Sequence, residues 1–229
     1  MRGGEKPKIE IHPLAHGELK DASALHEREL RHEFLTRFGP GFLARYYKAF
    51  IESPYATALV ARVPEVSGGE RRLDGVLIGT FDTGAHYAYL VRDHGWTLTV
   101  YTVLQCLRRP KLAWDLLRTR LVRYARGVYR SLRYAVKSEK RESSQKTPER
   151  VGFLAYVATA SDRRGLGIGK ALVEAYAEQA RMAGLDRLEL VTLPDERGAG
   201  SFYTNMNWTY GGERVSRSGE RYSLYRLSL

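Results

Sequence analysis

The stretch Val157-Ala158-Thr159-Ala160-Ser161-Asp162-Arg163-Arg164-Gly165-Leu166-Gly167-Ile168-Gly169-Lys170-Ala171-Leu172 constrains the fold more than any other part of the chain. The apolar run Val151 to Thr159 reads as a strand buried on both faces. From Gly167 to Ala183, residues Ile168, Leu172, Tyr176 and Ala180 recur at helical spacing, and Gly184 stands where helices favour a terminating glycine. A strand therefore feeds a helix through a turn holding Gly165, Gly167 and Gly169. The first N–H groups of a helix lack intrahelical partners and sit at the positive end of its dipole. A phosphate fits there, and glycines let it approach the backbone. Arg163, Arg164 and Lys170 add charge. A glycine-rich turn with no ligand is the plainer reading of the same residues. A dinucleotide fingerprint is a poor match, because the glycines alternate, the turn comes late and no βαβ unit precedes it. The lysine-plus-hydroxyl end of a P-loop is missing too.

Around this unit the chain reads as α/β. Ile9 and Ile11 alternate with polar neighbours in a short strand ending at Pro13. Gly17 to Arg37 reads as one helix and Phe42 to Ile51 as a second, with Leu43, Tyr46, Tyr47 and Phe50 at helical period. Tyr55 to Val63 and Leu73 to Phe81 read as strands joined by a polar hairpin loop. Trp96 to Leu107 and Lys111 to Lys137 read as helices separated by Arg109-Pro110, and 138–149 as a polar loop. After the glycine turn come a strand at Leu188 to Leu193, a short helix at Gly198 to Asn205, and strands at Trp208 to Gly211 and Tyr222 to Leu227.

The longest mostly apolar stretch, Trp96 to Leu107, is too short to cross a bilayer, which needs about 20 residues. Cys106 is the only cysteine, so no intrachain disulfide forms. With no apolar leader at the start, a cytoplasmic setting is expected.

Two sequence segments now carry a resemblance. Arg164-Gly165-Leu166-Gly167-Ile168-Gly169 resembles the acetyl-CoA motif of the GNAT superfamily of N-acetyltransferases. Ala199-Gly200-Ser201-Phe202-Tyr203, followed by Asn207-Trp208, resembles that family's second segment at the family's distance. The resemblance runs over Val151 to Leu229, extends to the first two helices and is absent from 84–149. It implies a central mixed, mostly antiparallel sheet flanked by helices, into which the helices read between the third and fourth strands enter as a helical insertion. It also implies one acyltransferase domain over 1–229 that includes a basic helical insertion at 84–149. Acetyl-CoA is the implied cosubstrate, with no metal. The strand before the turn would splay from its neighbour, and the cosubstrate's pantetheine would lie in the gap on the backbone of Val157, Ala158 and Thr159. Its pyrophosphate would meet Arg164, Gly165, Leu166, Gly167, Ile168, Gly169 and Lys170. Tyr203 would protonate the departing thiolate. Two positions depart from the family pattern: Glu196 replaces a frequent Asn, and Asn207-Trp208 replaces Gly-Phe. For the base that deprotonates the amine, residue type alone offers Glu189, Glu33, His32 and His86, and the choice stays open. The implied activity is N-acetylation of a primary amine on a small metabolite, amino sugar or peptide. The alternative is a non-catalytic CoA-binding sensor or scaffold docked to an anionic surface.

The net charge is +11, and its placement matters. Residues 107–150 hold 14 Lys/Arg against 4 Asp/Glu, so nearly all of the excess lies in this one segment. Arg123, Arg126, Arg130, Arg133 and Lys137 recur at helical spacing as a basic face. That face reads either as a solvated exterior or as a binder of an anionic acceptor or membrane surface. No recognised DNA-binding motif is present, so nucleic acid is not an expected partner. The oligomeric state is left open.

Overall fold

The computed structural model describes residues 8–31, 33–64, 72–110, 114, 149–194, 198–216 and 219–229. Seven strands form one sheet: β1 (Glu10–Pro13), β2 (Ala56–Arg62), β3 (Gly75–Thr80), β4 (Val151–Thr159), β5 (Arg187–Thr192), β6 (Thr209–Val215) and β7 (Arg221–Ser228). Their order is β1-β2-β3-β4-β5-β7-β6, antiparallel at every junction except the parallel β4/β5 pair. This is the mixed, mostly antiparallel sheet that the resemblance implied.

Helices cover both faces. On one side α1 (Leu19–Glu29) and α2 (Pro40–Glu52) bury Leu25, Phe42, Tyr46, Tyr47 and Phe50 against Ala58, Val60, Val76 and Ile78. Between β3 and β4, α3 (Thr83–Tyr89) passes through a π-helical turn at Leu90–His94 into α4 (Gly95–Arg108), which rests on α2. On the opposite face α5 (Ile168–Met182) buries Ile168, Leu172, Val173 and Tyr176 against Leu59, Ala61, Leu77 and Leu154. The alternation along β2 and β3 explains why Ala58 to Ala61 and Val76 to Ile78 are apolar without a break: each successive residue enters a different core. A short α6 (Gly200–Thr204) precedes β6.

Close approach of α5 to the sheet depends on Gly75. A β-carbon there would lie 2.7 Å from Ile168 Cγ2 and 2.8 Å from Leu172 Cδ1. The far end of α5 closes with Gly184 at φ +71°, where Leu185 N–H donates to Ala180 O at 3.0 Å. The site-bearing helix is thus fixed in depth and in length.

Three sequence expectations need correction. The helix expected over Gly17 to Arg37 stops at Glu29, because the chain turns at Leu30, whose carbonyl accepts from Thr36 Oγ1 at 2.7 Å and from Glu33 N–H at 3.0 Å. The insertion turns helical at Thr83, well before Trp96, since Asp82 caps α3 by accepting from Ala85 N–H at 2.9 Å. β4 is not buried on both faces: only Gly152, Leu154 and Ala158 of its nine residues are fully buried. The helix expected from Lys111 to Lys137, the loop at 138–149 except Glu149, and the basic face from Arg123 to Lys137 lie outside the described residues, apart from Trp114.

Candidate active site

The site begins where β4 loses a neighbour. Along β3 it is paired from Phe153 to Thr159, but along β5 only Val151, Gly152 and Phe153 are matched, to Arg187, Leu188 and Glu189. From Leu154 onward the two parallel strands part. Backbone groups of a strand point alternately to its two neighbours. Those of Leu154 to Thr159 that face β5 therefore border a gap in place of a ladder. Val157, Ala158 and Thr159 lie along it. A register shift against Ile78/Gly79 leaves Ala155 unpaired, so Ala155 and Tyr156 both turn toward the α1/α2 core, while Val157 turns toward α5.

The glycine turn closes the open end of the gap. Gly165 and Gly167 have φ of +83° and +85°, conformations that cost other residues about 1–2 kcal/mol. Gly165, Leu166 and Gly167 are exposed, whereas Ile168 is buried and pins the first turn of α5 to the core. Gly167 O accepts the first helical bond, from Ala171 N–H at 2.9 Å. Among the described residues the N–H groups of Gly165 through Lys170 donate to no protein acceptor. The turn is a cluster of outward-facing donors at a helix N-terminus, as its sequence required.

Its three cations are not all equally available. Arg164 pairs with Glu29 at 3.1 Å, Arg163 lies 3.6 Å from Asp74, and Lys170 lies 3.7 Å from Glu174. Burial raises the Glu29 carboxyl, but Arg28, the Ser161 amide and Arg164 outweigh it and hold it below its ordinary value. Glu29 and Asp74 thereby tie the turn to α1 and to the start of β3. Arg164 and Lys170 keep more than half of their side-chain surface in solvent and remain in reach of an anion.

The second sequence segment meets the first. A β-carbon on Gly169 would lie 3.4 Å from Thr159 Oγ1 and 3.5 Å from Phe202 Cζ. The end of β4, the start of α5 and helix α6 thus converge within van der Waals range. Tyr203, next to Phe202, is buried, with its ring 5.6 Å from Trp208 and 6.1 Å from Tyr225. Burial raises its phenol above the ordinary value of 10. Asn207, which stands where the family has glycine, takes a left-handed φ of 63°, a conformation asparagine tolerates better than most residues. Trp208 then fills the core. Glu196 lies outside the described residues.

The candidates for the base separate on geometry. Glu189 is held by Arg226 Nε at 3.0 Å, Arg187 at 3.3 Å and Arg214 at 3.8 Å, a structural ion cluster. His86 is fully buried, with Nδ1 3.0 Å from Ser53 Oγ and its ring 4.2 Å from Phe50. Burial, then the charge of His94, lowers its pKa to about 4. Glu33 follows α1, where burial and the charge of Glu220 raise its carboxyl. His32 lies outside the described residues.

Sequence reasoning missed a polar aromatic group on the α1/α2 side of β4. His26 Nδ1 and Tyr47 Oη are 2.9 Å apart, and the His26 ring centroid is 5.0 Å from that of Tyr156. Burial lowers the His26 pKa to about 4 and raises the phenols of Tyr46 and Tyr47. The available signal was Tyr156, the one phenol in an otherwise apolar run. A stability consequence follows for His26 and His86. Both have folded pKa values below the ordinary 6.5, so the stability they contribute is present above pH 6.5 and is lost as pH falls toward 4. Urea titrations should show stability dropping between pH 6.5 and 4, and His26→Gln should flatten that drop. An equally steep drop in the variant would remove His26 as its cause.

Residues 134–208 match the sequence profile of the acetyltransferase (GNAT) family. The fold resembles that of Arabidopsis thaliana NAA60 in complex with acetyl-CoA (TM-score 0.57, 11% identity, covering 97% of this chain and 99% of that one). It also resembles an acetyltransferase of the GNAT family from Streptococcus pneumoniae (0.53, 14%, 97% and 99%) and the ribosomal-protein-S18-alanine N-acetyltransferase from Escherichia coli (0.52, 11%, 96% and 94%). No curated protein matches the sequence.

Proposed function

We propose that this chain, which carries a GNAT acetyltransferase domain, transfers the acetyl group of acetyl-CoA to a primary amine of a small metabolite, amino sugar or peptide. One juxtaposition carries the reading: an exposed helix N-terminus with unpartnered amides stands at the mouth of the gap between β4 and β5. The residues fit the group. Leu166 to Lys170 present N–H donors to a pyrophosphate, Gly165 and Gly167 place no side chain over them, and Arg164 and Lys170 flank them. Backbone groups of Val157, Ala158 and Thr159 would hold the pantetheine arm in the gap. When bound, the thioester supplies an activated acyl carbon. A neutral amine attacks that carbon, the carbon–sulfur bond breaks and the thiolate leaves, while the nitrogen's surplus proton passes to water or a base and so makes good the one that Tyr203 gives up. Tyr203, a phenol that is protonated at neutral pH, can deliver its proton to the sulfur, with burial making it a weaker acid than a free phenol. Among the described residues no His, Cys, Asp or Glu cluster would hold a metal ion, and the reaction as written uses none. A single thiol, Cys106, suits the cytoplasmic setting included in this reading.

The direct test is calorimetric titration with acetyl-CoA, followed by thiol release across a panel of amines. Micromolar binding with turnover of at least one amine class is expected. Binding without turnover on any amine would leave a CoA sensor. No binding at millimolar ligand would overturn the reading.

A further inference from the structure

The outward face of α4 has the composition of an inward one. Toward the core the helix sends Leu98, which is buried, and Tyr101, which carries the Arg45 guanidinium 4.1 Å above its ring. The opposite face holds Trp96, Val100, Val103 and Leu107, with Leu104 beside them. At about 100° per residue the first four fall within an arc of roughly 60°. All five are exposed, Trp96 at 79% and Leu107 at 76%. An apolar stripe this continuous is uncommon on a solvated surface and marks a place of contact.

Its electrical setting identifies what it contacts. From His94 to Trp114 the sequence has no carboxylate. Arg108 stands exposed at the end of the stripe, beside Arg109, whose guanidinium donates to Arg37 O at 3.2 Å. A second copy of the chain on this face would set two carboxylate-free helices and their terminal arginines together, and like charges oppose that pairing. Tryptophan at the polar boundary, aliphatic side chains between and flanking arginines are the components of a helix lying in a bilayer interface. Among the described residues no helix is long and apolar enough to cross a membrane.

We propose that the α4 face seats this protein on an anionic lipid surface, lying along it and not through it. Trp96, Val100, Val103 and Leu107 enter the headgroup boundary, and Arg108 meets the phosphates. The surface is separate from the glycine turn, so it does not depend on the acetyl-transfer reading.

The experiment is co-sedimentation of the full chain with phosphatidylcholine vesicles, with and without phosphatidylserine, at low and high salt. Binding to phosphatidylserine vesicles at low salt is expected, weaker by about tenfold or more on pure phosphatidylcholine and at high salt. Trp96→Ser with Leu107→Ser should reduce partition by about tenfold or more at low salt, with the thermal midpoint unchanged. A second measurement needs no variant. Spin-labelled phosphatidylcholine mixed into the anionic vesicles should quench the tryptophan emission of the parent, a signal from the exposed Trp96 and Trp114 and not from buried Trp208. No partition at low salt, no quenching, or unchanged partition of a folded double variant would each overturn the proposal. So would a dimer in solution that the double variant converts to monomer, which would make the face a self-interface.

Discussion

Replacing Gly167 with valine is expected to lower acetyl-CoA affinity by about a hundredfold or more while leaving a folded protein. Gly167 sits at φ +85°, with only Ile9 Cδ1, 4.0 Å away, near the position of a new β-carbon. There is room for the side chain on the protein side. The cost to the fold is backbone strain, about 1–2 kcal/mol or somewhat more for a β-branched residue. The cost to the ligand is larger. A branched side chain at the head of α5 would stand over the amides of Ile168, Gly169 and Lys170 and displace the turn from its geometry. Loss of two charge-assisted hydrogen bonds, at about 1.5–3 kcal/mol each, corresponds to a hundredfold or more. Calorimetry on a variant whose thermal transition remains cooperative decides the matter. Unchanged affinity would remove the pyrophosphate from this turn.

Tyr203→Phe is expected to lower kcat by about a hundredfold, the scale of general acid catalysis, with acetyl-CoA affinity retained. The ring contacts with Phe202, Trp208 and Tyr225 do not involve the hydroxyl, and among the described residues that hydroxyl has no hydrogen-bond partner. The substitution therefore removes a proton donor without removing packing. The raised pKa has a further sign to check. Burial disfavours the phenolate, so Tyr203 stays protonated below pH 10, and the parent should show no loss of kcat through this group under alkaline conditions up to that point. Folding follows the same direction: the stability tied to the neutral phenol is complete below pH 10 and declines as pH rises above it. An unaltered kcat in the variant would make Tyr203 a core aromatic and leave the sulfur to be protonated from elsewhere.

Much of the sheet was legible because its strands obey simple rules. β2 and β3 carry unbroken apolar centres bounded by turn residues, and α5 opens on glycines and closes on Gly184. Local chemistry also marked the glycine turn, whose outward amides are a property of any helix start. What escaped the sequence was non-local. The parting of β4 from β5 after Phe153 leaves no mark in either strand and was reached only through the family resemblance, which implied a splayed strand before the turn. The bulge at Ala155, which aims Tyr156 at His26, depends on register against β3. Arg163 and Arg164 looked like free charge beside a phosphate, yet Glu29 and Asp74, distant in sequence, pair with them. Periodicity also misjudged α1, because Leu30, Phe34 and Phe38 face the core from a broken chain as well as they would from a continuous helix.

The placement of the insertion bears on how the chain finds its fold. β3 and β4 are sheet neighbours, yet Thr80 and its partner Phe153 are separated by about seventy residues. Closing a loop of that length in place of a tight hairpin costs about 2–3 kcal/mol more in chain entropy. By loop length the β3–β4 junction is expected to be a slower contact than β4–β5, whose partners Val151 and Arg187 are joined by about half as many residues. Both ends of the insertion also leave the sheet from adjacent strands. A version with the segment replaced by a short turn would keep the same register and reach it sooner, so the rate of assembly is set by a part of the chain that the glycine turn does not use.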